Sequence, residues 1–167
     1  MIEKVADRKP PSGLLRTLAR APIGLYRLGL GWLFGGHFLM LTHRGRVTGK
    51  QRNVILEVVR NDANNNAFYV ASGWGEKSDW LLNIGKDPDV NVQFKSRSFP
   101  AVAERLSVED AELEMLDYGR RHPAALMQLA RVMGFRIEAT EAAYQELGRY
   151  VPVIRLRAVS AGKREGG

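Results

Sequence analysis

The fold class that this sequence of 167 residues predicts is mainly β with α: a small antiparallel barrel with flanking helices packed outside it. Three observations predict it. Short runs between Phe38 and Ala103 are rich in β-branched and aromatic residues, as strands are. Turn signals separate most of these runs at short intervals. A single helical segment, about Asp79 to Gly85, interrupts the series, whereas a doubly wound sheet would need a helix after every strand.

Each element follows in chain order. Residues 1–11 are polar, end in Pro10-Pro11 and read as a flexible arm. Ser12 can cap a short helix that carries Leu14, Leu15 and Leu18 on one side. Pro22 suits the first turn of a second helical piece, because its missing N–H is not needed there; Gly35-Gly36 closes that piece. Phe38 to Thr42 fits a strand, and Arg44 to Arg52 has the glycines and charges of a hairpin loop. Val54 to Val59 makes a second strand, Asn61 to Asn66 a turn, and Ala67 to Ser72 a third strand. A loop from Gly73 to Ser78 leads into the inserted helix, which Asp87-Pro88 stops. Val90, Val92 and Phe94 alternate, as do Phe99, Ala101 and Ala103, on either side of a turn at Ser96-Arg97. Ser107 with Asp110 resembles a capping box and opens a helix to about Arg121, which His122-Pro123 breaks. Further helical turns follow, and Val151 to Leu156 reads as a final edge strand. The expected organisation is an arm with basic apolar helices over residues 1–35, the barrel over 36–158 and a disordered tail over 159–167.

Charge narrows the partners. Residues 1–60 hold eleven Lys/Arg against three acids (Glu3, Asp7 and Glu57), and no acid lies between Asp7 and Glu57. The other residues are almost neutral, so a positive field confined to one third of the chain points to an anionic partner there. The absence of cysteine removes disulfides, thiolate metal sites and cysteine nucleophiles, and fits a cytoplasmic protein. No signal peptide is expected, since the apolar stretch from Pro22 to Phe34 is broken by Arg27 and has no cleavage pattern behind it. The standard elbow, Walker, dinucleotide and zincin motifs are missing. His37, His43 and His122 are scattered, so no metal site is expected.

Two segments carry chemistry. Arg44, Arg46, Lys50 and Arg52, with Gly45, Gly49 and Thr48, lie within nine residues between apolar strands. Glycines allow close approach of backbone to a ligand, and the cations can surround phosphate oxygens. The plain alternative is a solvated hairpin with ordinary surface charge. In the second segment, Ala71 to Asn83, a strand ends in small residues, a glycine-bearing loop follows and a helix begins with Trp80 in its first turn. Small residues leave room for a flat ring, and amides near a helix start can bind an anion or a carbonyl. The plain alternative makes Trp80 a core anchor and Ser78 or Asp79 a helix cap.

Taken together, T-x-R-G-R-x-T-G-x-x-R, V-A-S-x-x-G-x-K-x-x-W-x-x-N and D-P-x-V-x-V, in that order over residues 36–108, resemble the deazaflavin-dependent nitroreductase and quinone reductase family. The resemblance implies a split β-barrel of the flavin-reductase-like kind. It implies that the protein is an oxidoreductase binding reduced coenzyme F420 and passing hydride to a flat organic acceptor: a quinone, enone or nitroaromatic compound. It assigns the cofactor's phosphate and oligoglutamate tail to Arg46, Thr48, Gly49, Lys50 and Arg52. The ring and ribityl chain fall to Ala71, Ser72, Lys77, Trp80 and Asn83. The proton that follows hydride would come from solvent or a hydroxyl such as Ser72, Ser78, Tyr118 or Tyr144. This chain departs from the pattern at Val47, where many relatives carry Lys or Arg, and at Gln51, where Pro is usual. The segment before the helix is also shorter than in nitroimidazole-activating members.

Other readings share some of these features. Split barrels also bind FMN, which makes an FMN-dependent reductase of the same fold the nearest alternative; a barrel that binds a cofactor without catalysis is another. A nucleic-acid binder would need aromatic residues interleaved with the cations, which the loop lacks, so no nucleic-acid partner is expected. The basic and apolar residues 12–34 suit either peripheral membrane contact or packing on the barrel or across a homodimer.

Overall fold

The computed structural model describes residues 2–6 and 36–160. Strand β1 is Ile2–Lys4, β2 is Phe38–Arg44, β3 is Gln51–Asp62 and β4 is Ala67–Ala71. A 3-10 turn, Gly75–Lys77, leads into helix α1, Asp79–Lys86. Strands β5 (Asp89–Phe94) and β6 (Arg97–Arg105) precede helices α2 (Val108–Arg121) and α3 (Pro123–Val132). The short strand β7 (Phe135–Ile137), helix α4 (Glu141–Leu147) and strand β8 (Val153–Ala158) complete the described elements.

Six strands close a barrel in the order β2-β3-β4-β8-β6-β5, with β5 returning to β2. Every pairing is antiparallel. The alternation that marks a strand shows most clearly in β4, whose five residues are all buried. Phe68 and Val70 point into the barrel and join Leu39, Leu41 and Ile154. Ala67, Tyr69 and Ala71 point outward and are covered by α2, α3 and α4 through residues such as Met115, Leu126 and Leu147. A strand buried on both faces reads as an unbroken apolar run, which is why AFYVA shows no polar alternation.

Several elements differ from expectation. The last strand is not an edge: β8 pairs with β4 on one side and β6 on the other and so closes the barrel. Pro152 precedes the strand rather than interrupting it, so its missing N–H takes nothing from either ladder. Within the expected flexible arm, Ile2–Lys4 is a strand paired with β7, and Val5 and Ala6 donate their N–H groups to the Gly134 carbonyl. Strand β3 runs from Gln51 to Asp62, well past Val54 to Val59, and a register shift between Val58 and Arg60 lets it bend with the barrel. The β5–β6 turn sits at Lys95-Ser96, with Lys95 at φ 55°, one residue earlier than its composition indicates. The capping site at Ser107 forms as expected, its hydroxyl accepting from the Asp110 N–H at 3.1 Å. Pro123 occupies the first turn of α3. The expected helices between Ser12 and Phe34, and with them the expected membrane or dimer contact through residues 12–34, lie outside the described residues. Among the described residues no helix is long and apolar enough to cross a membrane.

Candidate active site

Helix α1 lies against the barrel core. Trp80, Leu81 and Ile84 are buried in the same cluster as the barrel's inward-facing residues. Asn83, on the same helix, is 2% exposed. Ser78 occupies the N-cap position without capping through its side chain. Its hydroxyl instead meets the Ser72 hydroxyl at 2.8 Å, and the Ser72 hydroxyl also donates to the Gly75 carbonyl at 2.9 Å. The Ser72 N–H donates to the Pro152 carbonyl at 3.0 Å. These bonds fold the loop after β4 back on itself, with Gly75 at φ 65°. Arg105 donates to Glu76 and ties the loop to the end of β6; that bond holds the Glu76 carboxyl below its ordinary range, against a smaller opposing effect of burial.

The β2–β3 hairpin packs against α1. Its turn is closed by the Gly45 N–H donating to the Lys50 carbonyl at 2.8 Å and the Gly49 N–H donating to the Gly45 carbonyl at 2.9 Å. Gly49 sits at φ 70°, where a side chain would be strained. Arg46 is the residue that joins hairpin to helix. Its backbone N–H donates to Asn83 Oδ1 at 3.0 Å, and its guanidinium donates to the same oxygen at 2.9 Å and to Asp79 at 3.1 Å. Lys86 donates to the Arg46 carbonyl at 2.8 Å. Behind this contact, Asn83 Nδ2 lies 3.1 Å from Nδ1 of His43, a buried residue at the end of β2.

The two segments that the sequence singles out are therefore physically joined at α1. Of the expected site residues, Thr48, Gly49, Lys50, Arg52 and Lys77 are exposed, Arg46 is half-buried, and Ala71, Ser72, Trp80 and Asn83 are buried. Ala71 faces the helices rather than the barrel interior. His43, Asp79 and Lys86 join the arrangement although the sequence does not mark them as site residues. For His43 there is a signal: it continues the inward row of Leu39 and Leu41 at spacing two. The ten expected residues thus divide into an outward-facing cationic set and a buried framework beneath it.

A polyanionic tail fits the outward set. Asp79 is paired with Arg46, and Asp87 faces Arg44 at 3.7 Å. Lys50, Arg52 and Lys77 have no ion-pair partner among the described residues, so their charge is available to an anion. Gly45 lets Thr48 and Arg52 close over the turn, since a Cβ there would lie 3.1 Å from Thr48 Oγ1 and 3.2 Å from Arg52 Nε. Among the described residues no group of three or more His, Asp or Glu could hold a metal ion.

A family model described as F420H(2)-dependent quinone reductase matches residues 27–125, which takes in the hairpin, the loop and α1. The chain belongs to that family. As a member of the quinone reductase family it is a coenzyme F420-dependent oxidoreductase, and of the two cofactors weighed for the fold the family selects the deazaflavin over FMN. Solved structures share the architecture. One described as a domain-swapped dimer is 22% identical, with a TM-score of 0.51, 85% of this chain and 99% of its own being covered. A protein of unknown function from Agrobacterium tumefaciens strain C58 is 15% identical, with a TM-score of 0.54 over 91% of this chain and 60% of its own. An F420-H2 dependent reductase is 21% identical, with a TM-score of 0.48 over 72% of this chain and 93% of its own. No curated protein matches.

Of the hydroxyls considered as proton donors, three are hydrogen-bonded within the protein and Tyr144 is buried. The Ser72 hydrogen goes to the Gly75 carbonyl, which leaves Ser78 to donate to Ser72. Tyr118 donates to Glu57, and burial first, then that bond, pushes its phenol well above its ordinary range. The Tyr144 ring packs against Gly119 where α4 meets α2.

Proposed function

We propose that this enzyme reduces a quinone, the acceptor being a flat ring that enters beside the loop Gly73–Ser78. The observation that carries the reading is the exposed cationic set Lys50, Arg52 and Lys77, on the hairpin and the loop before α1, in the part of the chain that the family model covers. Lys50 and Arg52 bind the anionic tail, Thr48 and Gly49 shape the turn just before them, and Lys77 faces the cofactor from the loop. Trp80 and Asn83 support these groups from below. Bound reduced coenzyme F420 supplies a hydride, which with one further proton converts a quinone to its hydroquinone. Because the serine pair is internally satisfied and Tyr118 is bonded to Glu57, that proton comes from water rather than from any of these hydroxyls. The protein's part is to hold donor and acceptor close and oriented. In this reading the working form is a homodimer, as in the domain-swapped neighbour, which light scattering tests directly.

The deciding experiment is a titration of the purified protein with coenzyme F420, with FMN alongside, followed by tryptophan fluorescence. Half-buried Trp74 in the loop is the expected reporter. Saturable binding that weakens with salt and with Arg52→Ala, followed by turnover of menadione, supports the proposal. Binding without turnover of menadione, enones or nitroarenes rejects the quinone assignment while leaving the cofactor in place.

A further inference from the structure

We infer that His43 and Asn83 are positioning residues that set the hairpin's place for the cofactor tail, and that Arg46 is part of this pin rather than a ligand to the tail. The inference rests on the cofactor site proposed above and concerns what holds that site in shape. A backbone N–H can only donate, so the Asn83 atom 3.0 Å from the Arg46 nitrogen is the amide oxygen. The amide nitrogen then faces His43 Nδ1, which must accept, and the imidazole is neutral with its proton on Nε2. His43 is 5% exposed and Asn83 2%, so neither can exchange this bond for water at no cost.

The consequence reaches the surface through Arg46. Asn83 holds its N–H, Lys86 holds its carbonyl, and Asn83 with Asp79 holds its guanidinium. One hairpin residue is thereby fixed to α1 at both backbone groups and at its charge. Lys50 lies across the turn from it, in the small loop closed on Gly45, and Arg52 follows at the start of β3, opposite His43 of β2. Release of Asn83 from His43 frees the amide to rotate, removes the acceptor shared by two Arg46 donors and lets the whole turn move against the helix.

Three measurements test this. In the free protein, amide hydrogen exchange over residues 45–50 should quicken about tenfold in His43→Leu, the loss expected for one buried hydrogen bond, and be restored in His43→Gln, whose side-chain oxygen can accept from Asn83. Nitrogen NMR of the unaltered protein should show His43 as the Nε2–H tautomer, a readout that survives if a variant fails to fold. For the cofactor, Arg52→Ala should flatten the dependence of log Kd on log salt. Arg46→Ala and Asn83→Leu should weaken binding about tenfold at every salt concentration without changing that slope. Unchanged exchange in His43→Leu, an Nδ1–H tautomer, or an Arg46→Ala slope as flat as that of Arg52→Ala each overturns the inference. If the protein does not bind coenzyme F420 at all, the functional proposal fails alone, because the exchange and NMR measurements need no cofactor.

Discussion

Adding one methyl group at either of two glycines in the β2–β3 hairpin separates backbone strain from ligand contact. At Gly49 a Cβ meets nothing within 4 Å, but φ is +70°, so Gly49→Ala meets only the intrinsic penalty of the left-handed region. That penalty is about 1 kcal/mol, which in a chain of this size lowers the melting temperature by about 2–4 °C. At Gly45 the backbone carries no such strain, yet the new Cβ would lie 3.1 Å from Thr48 Oγ1 and 3.2 Å from Arg52 Nε. Both are side-chain atoms that can give way by a few tenths of an ångström, so Gly45→Ala should alter the melting temperature little. The displaced Arg52 guanidinium then loses part of a charge-assisted hydrogen bond to the tail, itself worth about 1.5–3 kcal/mol. A loss of about 1 kcal/mol corresponds to roughly fivefold weaker binding of coenzyme F420. Thermal melts and Trp74 fluorescence titrations of the two variants read both quantities. If Gly45→Ala binds like the parent while Arg52→Ala binds weakly, Arg52 meets the tail from some other position and the reasoning fails.

Gly148→Ala should cost more than either, about 2–3 kcal/mol in denaturant unfolding, because the new Cβ would fall within 2.6 Å of the Ala111 carbonyl and force α2 away from the following loop. Gly134→Ala combines φ +85° with a collision against the Ala6 carbonyl, so it should release β1; limited proteolysis near residues 2–6 reads this, and an unchanged cleavage rate would deny the latch. Tyr118→Phe should cost about 1–3 kcal/mol at neutral pH by leaving the half-buried Glu57 carboxylate without its donor. The phenol's pKa is raised in the folded protein, by burial and then by Glu57. Its contribution is therefore fully present below the unfolded value of about 10 and is lost as pH climbs towards the folded one. Alkaline unfolding curves of the parent should show this decline, and those of Tyr118→Phe should lack that part of it.

Local chemistry carries much of the fold into the sequence. The hairpin glycines, the Asp87-Pro88 stop, the Ser107 cap and the alternation in β5 and β6 each depend on neighbours a few residues away, and each forms in its expected region. The elements that escape sequence reading depend on distant partners. β1 and β7 have three residues each, too few to show a period, and exist because they pair with one another. β8 reads as an edge because Pro152 sits close to it, and only the closed topology shows that both its flanks are used. The site follows the same rule. The cations of the hairpin stand out by composition, but the partner of Arg46 lies 37 residues away on α1, with nothing in the spacing to announce it. His43 looks like one of three scattered histidines until the strand places it over Asn83.

The acid-free stretch from Arg8 to Leu56 gives this separation a physical logic. A hairpin turn with no acid of its own must take its counter-charges from elsewhere in the chain, and α1 supplies Asp79 within its first turn while Asp87 follows just past its end. These two acids face Arg44 and Arg46 and do not neutralise Lys50, further along the turn, or Arg52, at the start of β3. Charge that holds the loop is thus distinct from charge that can attract a ligand. The two should respond differently to salt. Exposed cations act on an approaching anion through solvent and lose reach as the Debye length shrinks to about 8 Å at physiological ionic strength. The bonds around Asn83 are short and sheltered, so ions in solution screen them little. Salt should therefore weaken capture of the tail long before it loosens the hairpin that presents those cations.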